Sequence, residues 1–536
     1  LNAKLRRFPR GNVSFQPNYN FNDTHAALNF YYKYCVPPGK IKWTLSMKDI
    51  EKLPFGKTKL PFRRLPVIKD FRRGKHTIFR FTEHPNKNQA KHLILKNFMN
   101  AIVTAARDVK DGEVPIVKHL RKPITNLSVK HHNLSPIDDN DITDEGCRKY
   151  DEKGRIFFMS DDSVMHRIFQ FRKVERTYYP ECFDLFGKPA RNKSVHNEIG
   201  TSWTRGGAYM KFYTLFGDKM DKWEPLFSKE STKERVSVKW KWKKRGKFVV
   251  IEGDIEGFDA SVSAMALVIY MMFNLIYVER DDSDITYRIF QYLLEACSEQ
   301  LAGKTIRWLY DYMIIMGYMP SGSLETSMGD TWIMMIFYWL SYLFFEMRQA
   351  TREVRRKIWR FLKIRFIIGL FFGDDFLIAF PLELLDAPLS VDRFAEYLLR
   401  NHNVRMKSRA THFSLLTYLN VTNNEVTGYA YRGPVYLKRR FIDSRNFMLK
   451  DWEPEIADVV PWRALQQYQW RAGVPTDRTN PVFMNLPRLL GLIYDTLGVD
   501  PVAYHMLAYM YKVTYQLGVK MTSEQYIRTN MPEWVE

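Results

Sequence analysis

Three short segments carry the side chains best suited to chemistry. The first is Asp254-Ile-Glu-Gly-Phe-Asp259, two carboxylates with four residues between them. The second is the small-residue stretch Ser321-Gly322-Ser-Leu-Glu-Thr326-Ser-Met-Gly-Asp330, and the third is Gly373-Asp374-Asp375. Nucleotidyl transfer needs two hard cations, one to lower the pKa of the attacking hydroxyl and one to neutralise the leaving pyrophosphate. Mg²⁺ keeps waters and substrate phosphates in its shell, so two or three carboxylates suffice to hold it. Each segment alone has an ordinary structural reading: a Gly-Asp-Asp turn is common in hairpins, and Ser and Thr favour helix N-termini. All three in this order are hard to assign to coincidence.

The elements that must position them are legible nearby. Lys247 to Gly253 reads as a buried strand, and Ser261 to Val278 is apolar at helical spacing with Ser261 or Ser263 as N-cap, so a strand ends near Asp254. Ile364 to Phe372 and Phe376 to Phe380 are apolar runs joined by Gly373-Asp374-Asp375, which predicts a hairpin with a carboxylate-bearing turn. A strand-end Asp254 beside a hairpin-turn Asp374 is a geometry that two neighbouring strands can supply. Thr326 and Asp330 fall on one helix face at i,i+4. Asp392 to His402 reads as a helix, Val435 to Phe441 as a short strand, and the chain after about residue 450 as mostly helical.

Roughly the first 80 residues are basic and Pro-punctuated (Arg6 to Gly11, Lys59 to Pro66), with little helical period, and read as an extension laid over other parts. Val236, Val238, Trp240 and Trp242 alternate with Ser237, Lys239, Lys241 and Lys243. That cationic stripe fits RNA phosphates, and equally a solvated edge strand whose lysines deter aggregation.

The chain has 536 residues, 46% hydrophobic and 15% aromatic, enough to bury several connected cores. It has no internal repeat and no low-complexity tract. Lys and Arg number 81 against 59 Asp and Glu, a formal charge of +22 that attracts polyanions. Nucleic acid is the first partner to consider and an anionic membrane the second, although capsid and ribosome-associated proteins share the same balance. Cys35, Cys147, Cys182 and Cys297 form no CxxC pair, which argues against a zinc ribbon or disulfide framework and suits a reducing compartment. The longest apolar stretch, Thr331 to Phe345, lies between Asp330 and Glu346 and is shorter than the ~18 to 20 residues of a membrane span, so it predicts a buried helix. No signal peptide is evident, and a start at Leu1 suggests a sequence that begins inside or after a processed start; export is not expected.

From about Lys247 to Phe441 the sequence resembles the right-hand viral RNA-dependent RNA polymerases, whose palm motifs A, B and C read DxxxxD, SGxxxTxxxN and GDD. Within that family it resembles the polymerases of picobirnaviruses, which have double-stranded RNA genomes. The resemblance implies a mixed α/β right hand with an antiparallel palm sheet. Residues 1–80 would be an N-terminal extension bridging fingers and thumb, and 81–246 the fingers. Residues 247–263 would be palm with motif A, 264–318 a fingers insertion, 319–445 palm with motifs B to E, and 446–536 thumb and C-terminal tail.

The resemblance also implies an enzyme that copies RNA from ribonucleoside triphosphates with two Mg²⁺ or Mn²⁺ ions, for genome replication and transcription. Its partners would be the template and product strands and capsid protein, its places the virion interior and the host cytoplasm. Carried over by position, Asp254 and Asp374 would bridge both metals, with Asp375 helping and Ile255 adjoining. Asp259, Ser321, Gly322, Thr326 and Asp330 would form the ribose pocket. Asp330 stands where the family has Asn, and an ionised carboxylate can only accept where an amide donates.

Lys407 falls at motif D, whose lysine is proposed to protonate the leaving pyrophosphate; the alternative is a solvated cation among Arg405 and Arg409. Leu437-Lys438-Arg439 resembles motif E, which supports the primer strand. Arg172, Lys173 and Arg176 are the candidates for the triphosphate-binding motif F, because the Arg fork grips phosphate oxygens in pairs, or are one basic cluster among many. Met521 to Glu536 reads as a priming or plugging element or as a tail.

Two rivals remain. A reverse transcriptase usually places an aromatic before its paired aspartates and a bulky gate in motif A, whereas this chain has Phe372-Gly373 and the small acid Asp259. A basic RNA-binding structural protein explains the charge and leaves three acidic motifs unexplained.

Phosphate contacts release counterions, so RNA affinity should fall steeply with added salt, by roughly 10³-fold or more between 50 and 200 mM if six or more phosphates are engaged. Filter binding across a salt series measures this. A flat response would contradict a charged RNA path.

Overall fold

A computed structural model describes residues 21–34, 65–73, 76–82, 91–111, 124–131, 135–136, 150–151, 154–159, 211, 215, 248–308, 311–321, 323, 325–365, 369–385, 389–413, 415–422, 425–431, 433–437, 439–442, 455–458, 486, 489–490, 492–493 and 501–518. The architecture is mixed α/β. Its centre is a four-stranded antiparallel sheet in the order Gly369–Phe372, Asp375–Pro381, Phe248–Ile255, Met406–His412. Val249, Val250 and Ile251 are wholly buried in succession, as are Leu377 to Phe380 on the neighbouring strand apart from traces. Consecutive buried residues point to both faces, so this sheet has protein on each side.

Helix signals in the sequence act where expected. Ser263 caps the helix Ala264–Met272, its hydroxyl accepting from the Ala266 N–H at 3.2 Å, while the Ser261 hydroxyl donates to the Phe258 carbonyl. Ser390 caps Val391–His402 through the Arg393 N–H, and Asn403, at φ +54°, ends it in the left-handed conformation that Asn tolerates. That helix seats on the sheet through Phe394, whose ring meets Phe376 at 5.9 Å and Trp339 at 5.2 Å.

The predicted buried helix is present and longer than its apolar core. An α-helix at Glu325–Trp332 runs into a π-helical stretch, Ile333–Leu340, and resumes as α-helix over Ser341–Gln349; every residue from Met328 to Leu343 is buried. Its far end is fastened by Glu346, 2% exposed, which accepts two hydrogen bonds from Arg393 at 3.2 and 2.9 Å. No helix among the described residues is long and apolar enough to cross a membrane.

A second sheet, ordered Gly154–Met159, Ile124–His131, Gly303–Trp308, Asp311–Met316, is antiparallel except for the parallel middle pair. It reaches the second motif directly, since the Phe158 N–H donates to the Ser321 carbonyl at 2.8 Å.

Several expectations are corrected. The N-terminal region contains the helix Phe21–Tyr34, whose inward positions include Asp23 and Thr24 as well as Ala27, Phe30 and Tyr31, so its apolar period is weak. Phe30 packs tilted against Phe344 at 6.0 Å and edge-on against Trp359 at 5.7 Å, and Asp23 pairs with Arg348 at 2.8 Å. Ile364 and Arg365 end the helix Arg352–Arg365 rather than beginning a strand. Of the predicted strand Val435 to Phe441 only Arg439 to Phe441 lie in one, Arg439–Ile442; Tyr436 and Arg439 close a tight turn before it, with Leu437 at φ +50°. Beyond residue 450 the described residues are mostly helical, as expected, with the helix Pro501–Gly518 and one short strand, Glu455–Asp458.

Phe30→Ala should cost about 3–5 kcal/mol by leaving a cavity among aromatic rings. Urea unfolding followed by tryptophan fluorescence measures it. A loss below about 1 kcal/mol would mean that the N-terminal helix is not seated on this core.

Candidate active site

The hairpin fixes the geometry. Phe372 pairs with Asp375, so the loop is Gly373 and Asp374 alone, and Asp375 is the first residue of the return strand rather than part of the turn. Gly373 sits at φ +63° and Asp374 is not among the positive-φ residues, which suits a two-residue turn with Gly first. Across the sheet Phe376 pairs with Gly253. The next residue on each strand at that end is a carboxylate, Asp375 on one and Asp254 on the other. Directly opposed side chains in an antiparallel pair lie about 4.5–5.5 Å apart at Cβ. The register therefore brings Asp254 and Asp375 together, with Asp374 adjoining in the turn.

On its other side the Asp254 strand pairs with Met406–His412. Met406 pairs with Ile255 and Ser408 with Asp254, so Lys407 is the extra residue of a β-bulge. Its Nζ lies 3.5 Å from Asp254 Oδ2. Lys407 is mostly exposed, and such a pair contributes only ~0.2–1 kcal/mol, weak enough for another cation to displace.

The second motif is tied to the first. Asp259 lies on the short helix Phe258–Ser261, and its carboxylate accepts a hydrogen bond from the Ser321 hydroxyl. The loop before Ser321 is laced to the same helix: the Met319 N–H donates to the Asp259 carbonyl at 2.7 Å and the Tyr318 N–H to the Val262 carbonyl at 2.6 Å. This loop crosses so close that a Cβ at Gly317, φ +80°, would meet the Val262 carbonyl oxygen at 2.8 Å. The Thr326 hydroxyl donates to the Pro320 carbonyl at 2.7 Å, so it shapes the loop backbone.

Asp330 links all three segments. It is 5% exposed, and its pKa lies well above the ordinary carboxylate value of 3.8. Burial is the largest cause, followed by the Asp259 charge, a hydrogen bond with Asp259 and the Asp374 charge. The shift disfavours the ionised form, and a carboxylic acid, unlike a carboxylate, can donate one hydrogen bond as an amide does.

Glu252 and the turn at Leu437 were not linked by sequence reasoning. The Glu252 carboxylate accepts from the Val435 N–H, and His412 Nε2 lies 3.4 Å from it. Leu437 and Arg439, whose turn is closed by Tyr436 N–H to Arg439 O at 2.9 Å, are thereby anchored to the strand that carries Asp254. The available signal was Glu252 standing two residues before Asp254, on the same strand face. Gly322, Lys438, Arg172, Lys173, Arg176, the 236–243 stripe and the segment 521–536 lie outside the described residues.

Among the described residues, no three His, Cys, Asp or Glu side chains are grouped so as to hold a metal ion. Asp254, Asp374 and Asp375 are carboxylates on adjacent strands and their turn, the donor type that suits a hard cation completing its shell with water and phosphate. Ile255 is 2% exposed, so only its backbone carbonyl is available to such an ion. No protein-family model matches the chain, and no curated protein matches it.

A folded-state pKa raised above the unfolded one means that folding binds a proton, so Asp330 lowers stability as pH rises above the ordinary carboxylate range. Asp330→Asn has no proton to lose. Its melting temperature at neutral pH should equal or exceed the parent's, and the parent's decline between weakly acidic and neutral pH should flatten. A variant several degrees less stable at neutral pH would show that Asp330 is ionised and needed as such.

Proposed function

We propose that the chain is a template-directed RNA polymerase, the replicating and transcribing enzyme of an RNA virus with a double-stranded genome. The observation that carries this reading is the convergence of the three motifs: Asp254 and Asp375 each one residue beyond the paired Gly253 and Phe376, and Asp330 within reach of the charges of Asp259 and Asp374. In this reading the four-stranded sheet is the palm of a right hand, and the N-terminal region bridges fingers and thumb.

Asp254, Asp374 and Asp375 would hold two Mg²⁺ or Mn²⁺ ions, with Ile255 adjoining. Such ions, when bound, activate the 3′-hydroxyl and neutralise the pyrophosphate. The remaining steps belong to the chain. Lys407, exposed and re-aimed by its bulge, gives its proton to the departing pyrophosphate. Asp259, oriented by Ser321, accepts from the ribose 2′-hydroxyl, with Asp330, whose charged form burial disfavours, beside it. A site with buried polar partners for that hydroxyl rejects deoxyribonucleotides by leaving those partners unpaired. Arg172, Lys173 and Arg176 bind the triphosphate, Leu437, Lys438 and Arg439 support the growing strand, and the +22 charge holds RNA.

Asp254→Ala and Asp374→Ala should each abolish incorporation of labelled nucleotide on an RNA template while RNA binding survives. Incorporation above a few per cent of the parent rate in either variant overturns the metal assignment.

A further inference from the structure

Thr331 follows Asp330 on the second-motif helix and is wholly buried. Its hydroxyl donates to the Ser327 carbonyl at 2.8 Å, one helical turn back, and accepts from the Gly373 N–H at 2.8 Å. Gly373 is the first residue of the two-residue turn that carries Asp374. It has no side chain, and a Cβ built there would meet nothing within 4 Å, so at this residue the turn is held through its amide.

We infer that Thr331 is a positioning residue that fixes the carboxylate-bearing turn relative to the second-motif helix by holding the Gly373 amide. This deepens the polymerase reading and rests on it for its catalytic consequence. The side chain suits the task. Donation to the carbonyl four residues back orients the hydroxyl, the β-branch limits its rotamers, and a lone pair is left facing the turn. The same helix turn carries Asp330, so one rigid element sets both the sugar-facing acid and the register of Asp374 and Asp375. Valine has nearly the same shape and cannot accept the amide proton. Without that bond the turn gains freedom, and a displacement on the order of 1 Å at reacting groups lowers rate by about 10²-fold.

The test compares the parent with Thr331→Val and Thr331→Ser. Thr331→Val should lower the maximal incorporation rate about ten- to a hundred-fold and leave the apparent KM for nucleotide within about three-fold. Its melting temperature should stay within a few degrees of the parent's, and Thr331→Ser should recover to within about three-fold of the parent rate. Hydrogen exchange at the Gly373 amide, read without nucleotide or metal, should be slow in the parent and at least about ten-fold faster in Thr331→Val, with Val249 to Ile251 unchanged. Parent-like turnover in Thr331→Val, or Thr331→Ser as impaired as Thr331→Val, overturns the inference. Fast exchange at Gly373 in the parent does so too, and decides the matter if Thr331→Val does not fold. A parent with no incorporation activity would instead count against the polymerase reading, while the exchange measurement still judges the Thr331 link.

Discussion

The pairing of Phe376 with Gly253 is the constraint on which the site depends. In an antiparallel pair a shift of one residue turns every side chain to the other face. Here the pairing of Asp375–Pro381 with Phe248–Ile255 sets Asp254 at the level of Asp375, while the two-residue Gly373-Asp374 loop fixes the neighbouring pair, Gly369–Phe372 with Asp375–Pro381, and so where Asp374 stands. Like charges placed so close repel, and core packing of the strands must outweigh that repulsion. Lys407 on one side offsets part of it, and a bound cation would offset far more.

Around that pair the carboxyls differ in burial. Asp254 stays partly open to solvent beside Lys407, whereas Asp330 lies among apolar residues of a buried helix, which raises its pKa and disfavours its charged form. The difference gives chemically similar side chains different work: oxygen donors for hard cations at the sheet end, and a hydrogen-bond donor a few residues into the helix. Ser321 and the laced loop from Gly317 to Met319 hold Asp259 between the two environments.

Much of this was legible in the sequence. The strand before Asp254, the hairpin about Gly373, the Ser263 cap and the helix from Asp392 all follow from period and local chemistry. Other features depend on contacts between distant segments. The Phe21–Tyr34 helix escaped because Asp23 and Thr24 occupy buried positions, Asp23 held there by Arg348. The bulge at Lys407 exists only relative to the partner strand, and the raised pKa of Asp330 only relative to burial and Asp259. The turn at Leu437 needs a positive φ that nothing in a leucine announces; Glu252, from another strand, holds the preceding Val435 amide.

The central claim is that the sheet end bearing Asp254, Asp374 and Asp375 receives divalent cations. Crystals soaked with Mn²⁺ and a ribonucleoside triphosphate, measured at the manganese absorption edge, test it without altering any residue. The expected result is anomalous density between Asp254 and the Asp374-Asp375 pair, with Lys407 drawn away from Asp254. Triphosphate bound with no manganese peak there, and Lys407 still 3.5 Å from Asp254, would contradict it.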